Sequence, residues 1–157
     1  MSWLRRLLGD AVPRPAGPVD FLAEALALES AGDASGAITS YRLALRDRPD
    51  DPKVLQNFAI LLSKTGQPDE AIRHYRRALD VDPSLVGAHY GVGFLLLKRG
   101  DVRGAIRHLE TFVASSQASG DSARWVSHAQ VTLDQLRVRD ASMSSGAASL
   151  DAMMLEP

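Results

Sequence analysis

The sequence predicts an all-α protein in which helical hairpins stack side by side into an array. Three segments align without gaps at a spacing of 34 residues, so that Ala37-Ile38 recurs as Ala71-Ile72 and Ala105-Ile106. Inside each segment, apolar residues recur with the 3.6-residue period of an amphipathic helix. A fixed period of this length is typical of repeat proteins, whose units bury their apolar faces only by stacking on their neighbours.

Residues 1–17 precede the first repeat. The segment Trp3–Leu8 carries a short apolar face, with Arg5 and Arg6 on the opposite side. These arginines interrupt the apolar run, which argues against a secretory signal, and no run in the chain approaches the ~20 apolar residues of a membrane helix. We therefore expect a cytoplasmic protein. Its N-terminal segment is expected to fray, to dock on this protein or a neighbour, or to make a weak membrane-surface contact. Residues 10–17 have the composition of a linker.

The second repeat shows how each unit is built. Asp51 is placed to cap a helix whose first turn holds Pro52, a residue that needs no N–H donor there. Gly66 suits the turn that ends this helix. Pro68 then begins a second helix, which Pro83 prevents from continuing. The unit is therefore predicted to be an antiparallel helical hairpin.

These repeats resemble the tetratricopeptide repeat family, with boundaries at 18–51, 52–85 and 86–119. The first repeat departs from the family pattern at Glu24, which we interpret as a solvated position of a terminal repeat, and the third departs at His89, which we interpret as a packing substitute for an aromatic residue. The resemblance implies a right-handed superhelix of three hairpins, with the first helices lining a concave groove. In the second repeat the signature positions hold Leu55, Phe58, Ala59, Leu62, Gly66, Ala71, Tyr75, Ala78 and Pro83.

A capping helix is predicted over residues 121–138, which completes a repeat domain spanning 18–138. Either Asp121 or Ser122 can cap its first turn, and His128 belongs to the polar face that a terminal helix shows to water. Residues 139–157 are rich in Ser, Ala and Gly, and we expect them to be disordered. The apolar face of the capping helix holds Trp125, Ala129, Leu133 and Leu136.

The chemistry-bearing residues do not form a catalytic pattern. The chain has no cysteine, which excludes disulfides, thiolate metal ligands and a cysteine nucleophile. Gly91-Val92-Gly93 lies inside a predicted helix, where a phosphate-binding loop does not form. The four histidines include no pair spaced i, i+4, and we interpret His74 and His108, one repeat apart, as ordinary side chains. We predict no enzyme activity, no cofactor and no metal site.

The charge pattern argues against nucleic acid as a partner. The net charge is −1, with 18 basic and 19 acidic residues, and Asp80 and Glu110 lie close to the basic positions of the second helices. Without exposed aromatics between these arginines, a solvated outer face is the better interpretation. The arginines concerned are Arg42, Arg73, Arg76, Arg77, Arg103 and Arg107.

The resemblance implies a mainly apolar groove edged by lysines. A carboxylate-binding clamp is not expected, because only Asn57 matches a clamp position, whereas Leu22, Leu26 and Gly91 stand where polar groups are needed. Gly91 instead suits close approach of a ligand to the helix backbone. The residues predicted to line the groove are Leu22, Leu26, Lys53, Asn57, Ile60, Lys64, Tyr90, Gly91, Phe94, Leu97 and Lys98.

We therefore predict a non-catalytic adaptor or scaffold that binds a peptide or helix of another protein in this groove. Two alternatives stay open. The chain is either a structural module that self-associates through its groove or its terminal segments, or the regulatory subunit of a separate enzyme.

Overall fold

The computed structural model describes residues 19–116 and the helix Ala123–Met153, with side chains described as far as Arg139. This part of the chain contains helices and no strands. Successive helices pack on one another, most extensively within the pairs α1/α2, α3/α4 and α5/α6, and α7 covers α6. The result is an all-α helical-repeat solenoid. The helices are α1 Phe21–Ser30, α2 Ala34–Asp47, α3 Pro52–Lys64, α4 Pro68–Val81, α5 Val86–Lys98, α6 Val102–Ser116 and α7 Ala123–Met153.

Aspartates begin several of these helices. The predicted cap at Asp51 is confirmed, since its Oδ1 accepts the backbone N–H of Lys53 at 3.0 Å and that of Val54 at 3.2 Å. Asp33 and Asp101 cap α2 and α6 in the same way. These carboxylates satisfy N–H groups that have no partner inside the helix.

Left-handed glycines end the first helix of each pair. Gly32 and Gly66 have φ of +80° and Gly100 has φ of +88°, a conformation that other L residues adopt only at a cost. The backbone therefore repeats at the same 34-residue spacing as the sequence, and the predicted turn at Gly66 is confirmed.

The buried side chains fall into two clusters. The first extends from α1 to Ala105 at the beginning of α6 and includes Tyr41 and Phe58, whose rings stack with centroids 5.4 Å apart. The second joins α6 to α7, and it contains Phe112, Ala129 and Leu133. Small residues at the helix contacts, such as Ala37, Ala71 and Ala105, are completely buried.

The last helix is longer than the sequence indicated. It runs from Ala123 to Met153, whereas the prediction ended it at residue 138 and expected a disordered tail. The physical reason is that the Ala, Ser, Met and Leu residues beyond 138 are tolerated in a helix, and no proline interrupts them before Pro157.

Two further predictions concern the ends of the described residues. The candidate caps Asp121 and Ser122 lie outside the described residues, as do Trp3–Leu8 and the linker 10–17.

Glu24 is exposed, but it accepts a hydrogen bond from Ser40 Oγ at 3.1 Å and so ties α1 to α2. None of the described helices is both long and apolar enough to cross a membrane.

Candidate functional site

A cavity of about 500 Å³ opens on the side of the array formed by α3, α5 and the beginning of α7. Its volume lies within the usual range of ligand-binding sites. Half of its lining residues come from α5, where residues three and four positions apart share a side of the helix. The lining residues are Ile60, Ser63, Tyr75, Gly87, Tyr90, Gly91, Phe94, Leu95, Phe112 and Trp125.

Tyr90 is the centre of an aromatic cluster in the cavity wall. Its ring centroid lies 4.7 Å from that of Phe94, 4.9 Å from that of Phe112 and 5.3 Å from that of Trp125. The contacts with Phe112 and Trp125 are edge-on, a favourable arrangement for aromatic rings. Trp125 closes this side of the cavity while remaining 46% exposed, so the predicted inward face of α7 is buried at Ala129 and Leu133 but open at the tryptophan.

His128 extends the cluster from α7. Its ring stacks on Phe94, with centroids 4.6 Å apart and planes 9° from parallel, and its Nδ1 lies 2.8 Å from the hydroxyl of Tyr90. The sequence places His128 on the polar face of the capping helix, and the residue is indeed exposed. Its contact with the groove was missed, although its position three residues after Trp125 was a usable signal. The pKa of Tyr90 is raised, because the effect of burial is larger than the opposing effect of the nearby Arg124 charge.

Tyr75 forms the floor of the cavity, from the second helix of its repeat. A side chain at Gly91 would overlap the phenol ring of Tyr75. The predicted role of Gly91 is therefore corrected: the space it leaves beside the backbone of α5 is filled by Tyr75 and is not available for a ligand. Gly93 is a close-packing position, because a Cβ there would lie 2.8 Å from Leu109 Cδ2.

The hydroxyl of Tyr75 has no hydrogen-bond partner among the described residues. The residue is only 3% exposed, and burial raises the pKa of the phenol to about 12, so the hydroxyl keeps its proton at neutral pH. Buried tyrosine hydroxyls usually find a partner. This hydroxyl is not among the fully buried atoms without a partner, since Tyr75 lines the open cavity and a ligand there can reach it.

Four of the predicted groove residues line this cavity, namely Ile60, Tyr90, Gly91 and Phe94. Leu22 and Lys53 instead border a separate cleft at the loop before α3. Lys64 Nζ lies 4.0 Å from a Glu29 carboxylate oxygen, so it pairs within the protein.

The remaining predicted groove residues lie away from the cavity. Leu97 borders another pocket together with Ile106 and Leu136. Leu26 is 42% exposed on α1, Asn57 is half-buried, and Lys98 is exposed at the end of α5. The cavity is thus shorter than the predicted groove and has no lysine in its lining. The residues that sequence reasoning did not assign to it include Tyr75, Phe112 and Trp125, of which Tyr75 and Phe112 come from second helices.

Two of the histidines contact each other, and a third lies beside a carboxylate. Among the described residues no group of three potential metal ligands is present. His89 Nδ1 lies 3.0 Å from His108 Nδ1, and His89 Nε2 lies 3.1 Å from the carbonyl of Pro83. Since a carbonyl only accepts, the Nε2 of His89 carries a proton and its Nδ1 accepts from His108. His108 therefore bonds to His89 rather than sharing a site with His74, which lies 3.8 Å from Glu70.

The arginines of the second helices are exposed, as expected for a solvated face. Arg42 pairs with Glu70 at 3.8 Å, and Arg77 pairs with Asp50 at 2.8 Å. Exposed pairs of this kind contribute about 0–1 kcal/mol each to the free energy of unfolding, so they add little to the stability of the fold.

Comparison with known proteins gives matches to repeat families. A family model described as "TPR repeat" matches residues 61–100, and one described as "Tetratricopeptide repeat" matches residues 40–73. No curated protein matches the sequence.

Several solved structures share the fold. The TPR2B domain of yeast Sti1, in its complex with pHsp70, has a TM-score of 0.66 at 21% identity and covers 73% of this chain and 94% of its own. The Yersinia enterocolitica type III secretion chaperone SycD, in complex with a peptide of the translocator YopD, has a TM-score of 0.71 at 14% identity, with 76% and 92% covered. The Sgt2 TPR domain from Aspergillus fumigatus has a TM-score of 0.64 at 24% identity, with 80% and 87% covered.

Proposed function

Because this chain belongs to the tetratricopeptide repeat family, we propose that it is a non-catalytic adaptor that binds an apolar peptide or helix of another protein. The proposed binding site is the cavity between α3, α5 and α7. Repeat proteins of this architecture present extended concave surfaces, and an apolar cavity with few polar groups is the usual form of a recognition site.

The observation that carries the proposal is the composition of the cavity wall. Tyr90, Phe94 and Trp125 offer aromatic faces to an incoming side chain, and the unpartnered hydroxyl of Tyr75 offers a single hydrogen bond at the floor. A peptide satisfies both, since an apolar side chain fills the aromatic part and a backbone carbonyl accepts from the hydroxyl.

The polar groups at the cavity also support a role in binding rather than catalysis. The hydroxyl of Ser63 donates to the carbonyl of Ile60 at 2.8 Å, and the hydroxyl of Tyr90 is held by His128 at 2.8 Å. The serine is not activated as a nucleophile, because it has no base beside it.

The structural relatives add support of a general kind. By their descriptions, the Sti1 domain is in complex with pHsp70 and SycD is in complex with a peptide of YopD. Both are similar in fold to this chain, and both complexes involve a partner protein or its peptide. Of what these descriptions say, we propose for this chain only that it binds a segment of another protein.

The test is a comparison of partners captured by the wild-type chain and by cavity variants. Phe94→Glu and Trp125→Glu each place a charge in the aromatic wall, and Trp125→Glu is the safer of the two for folding because that residue is half exposed. Val81→Glu is the matched control, since Val81 is 44% exposed and lies outside the cavity lining. Circular dichroism checks that all variants keep the helicity of the wild type.

We expect the wild type and Val81→Glu to retain the same partner from a lysate, and both cavity variants to lose it. Burial of one aromatic anchor contributes on the order of 2 kcal/mol to binding, which corresponds to about thirtyfold in affinity. Equal capture by folded Trp125→Glu and wild type would contradict the proposal.

A further inference from the structure

Helix α7 is twice as long as the helix on which it packs. It spans 31 residues against 15 in α6, which corresponds to about 46 Å and about 22 Å. The first part of α7 is anchored by Ala129 and Leu133, both buried. The C-terminal half therefore extends beyond the helix that holds the first half.

The sequence of this C-terminal half has the pattern of a docking helix. Apolar residues recur at Met143, Ala147 and Leu150, which is the i, i+4, i+7 spacing of one helical face. Helices that bind in grooves present anchors at such positions. Within α7 this half carries Asp140 and Asp151 against the single base Arg139, so it is weakly acidic as well as apolar.

One basic side chain lies beside the cavity wall. The guanidinium of Arg124 lies 4.6 Å from the ring centroid of Trp125, and within the described residues it makes no ion pair. No carboxylate is among the residues that line the cavity. An acidic segment is therefore attracted to this entrance, whereas the basic segment Trp3–Leu8, with Arg5 and Arg6, is disfavoured there.

The C-terminal half of α7 cannot reach the cavity of its own molecule. Trp125, in the cavity wall, and Met153 belong to the same helix and are separated by 28 residues, or about 42 Å at 1.5 Å per residue. Resting on the proposed function of the cavity, we infer that its occupant is the acidic, apolar C-terminal half of α7 from a second copy of this chain.

Reciprocal exchange of this kind closes a two-fold dimer. Each copy places the end of its α7 on the other's cavity, and the two α7 helices run antiparallel past each other. A contact made by the same patch on both subunits is the usual form of a homodimer interface. An external partner then competes with the second copy for the same cavity, so dimerisation lowers the apparent affinity for the partner.

The experiment is analytical ultracentrifugation of the full-length chain over a wide range of concentration. The wild type is expected to pass from monomer to dimer. Leu150→Asp is expected to weaken the dimer at least about tenfold, because it replaces by a charge a leucine that the proposal buries in the cavity of the second copy. Ser149→Asp is the matched control, since it adds the same charge at the adjacent residue off the apolar face, and it should leave the dimer within about twofold of the wild type.

A charge exchange tests the entrance separately. Arg124→Glu and Asp151→Arg should each weaken the dimer about two- to fivefold, as expected for exposed charge pairs, and the double variant should restore it. In a Trp3→Phe background Trp125 is the remaining tryptophan, and its emission should move to shorter wavelength as the dimer forms.

A chain that stays monomeric, or a dimer that Leu150→Asp and Arg124→Glu both leave unchanged, would overturn this inference. Either result can occur while folded Trp125→Glu still loses an external partner, in which case the adaptor function stands without the dimer. Loss of the dimer inference and loss of the proposed function are therefore distinguishable.

Discussion

Replacing Gly91 by alanine tests how the floor of the cavity is built. In an exposed helix this change is stabilising by about 0.5–1 kcal/mol, because glycine loses more backbone freedom on folding. At Gly91 the added methyl group would overlap the Tyr75 ring, which belongs to a buried residue. The structure therefore predicts a sign opposite to that of the helix propensity.

The magnitude follows from the two opposing effects. Adding a methyl group to a filled core costs about 1–3 kcal/mol, since Tyr75 must move away from α5. Subtracting the propensity gain leaves a net loss of about 1 kcal/mol in the free energy of unfolding for Gly91→Ala. Gly87→Ala is the control on the same helix, because its nearest neighbour is the flexible end of Gln56, with Nε2 at 3.3 Å. We expect Gly87→Ala to be neutral or stabilising.

The assay is urea denaturation followed by circular dichroism, repeated in a Tyr75→Leu background. Leucine lacks the Cζ and Oη atoms that would meet the new methyl group, so Gly91→Ala should become neutral or stabilising there. The difference between the two backgrounds measures the steric contact and should be about 1–3 kcal/mol. If Gly91→Ala stabilised the wild type as much as it stabilised Tyr75→Leu, the ring would not occupy the position assigned to it.

Two further predictions concern folding. Asp51→Ala removes the cap of α3 and should lower the free energy of unfolding by about 1 kcal/mol, whereas Asp51→Asn keeps an acceptor and should lose less; equal losses in urea melts would contradict the capping role. Burial lowers the pKa of His74 and of His108 from the ordinary 6.5, so below pH 6.5 the unfolded chain binds more protons than the folded one. The contribution of these two histidines to the free energy of unfolding is therefore fully present above pH 6.5, and it is lost as the pH falls through and below that value. The urea midpoint of the wild type should decrease on acidification, and that of the His74→Gln/His108→Gln variant should decrease less. Equal decreases in the two proteins would refute the role of these histidines.

The helices and their ends could be predicted because their causes are local. The cap at Asp51 and the turn at Gly66 depend on residues within a few positions of each other, and the repeat supplies the same information three times. The family assignment rests on the same positions. Helix pairing then follows, since an apolar face must be covered by a neighbouring element.

The cavity could be predicted only in part. Tyr90 and Phe94 lie on the first helix of a repeat, and the resemblance already assigned that helix to the groove. Tyr75 was interpreted as a signature core residue, and its contribution to the floor depends on the missing side chain at Gly91, one repeat further along. The direction of a ring across two repeats is set by packing, which no local pattern encodes.

The end of the array was the least predictable part. The contacts of His128 with Tyr90 and Phe94 require knowing how α7 crosses α5, and this crossing is decided by Ala129 and Leu133, on the buried face of α7, which pack against α6. The length of α7 depends on the absence of a stop signal, and an absent signal is weaker evidence than a proline or a capping residue.

The boundary between the two buried clusters passes through the cavity. Ile60 and Tyr75 belong with the first cluster, and Phe94 and Phe112 belong with the second, which joins α6 to α7. In a solenoid, the terminal helices can open while the rest stays folded. Amide hydrogens of α7 should therefore exchange with solvent faster than those of α3. A ligand that touches both clusters joins them into one cooperative unit. It raises the apparent free energy of unfolding by about 2.7 kcal/mol when its concentration is about a hundred times its Kd. Fraying of the last helix and release of the ligand are then the same event.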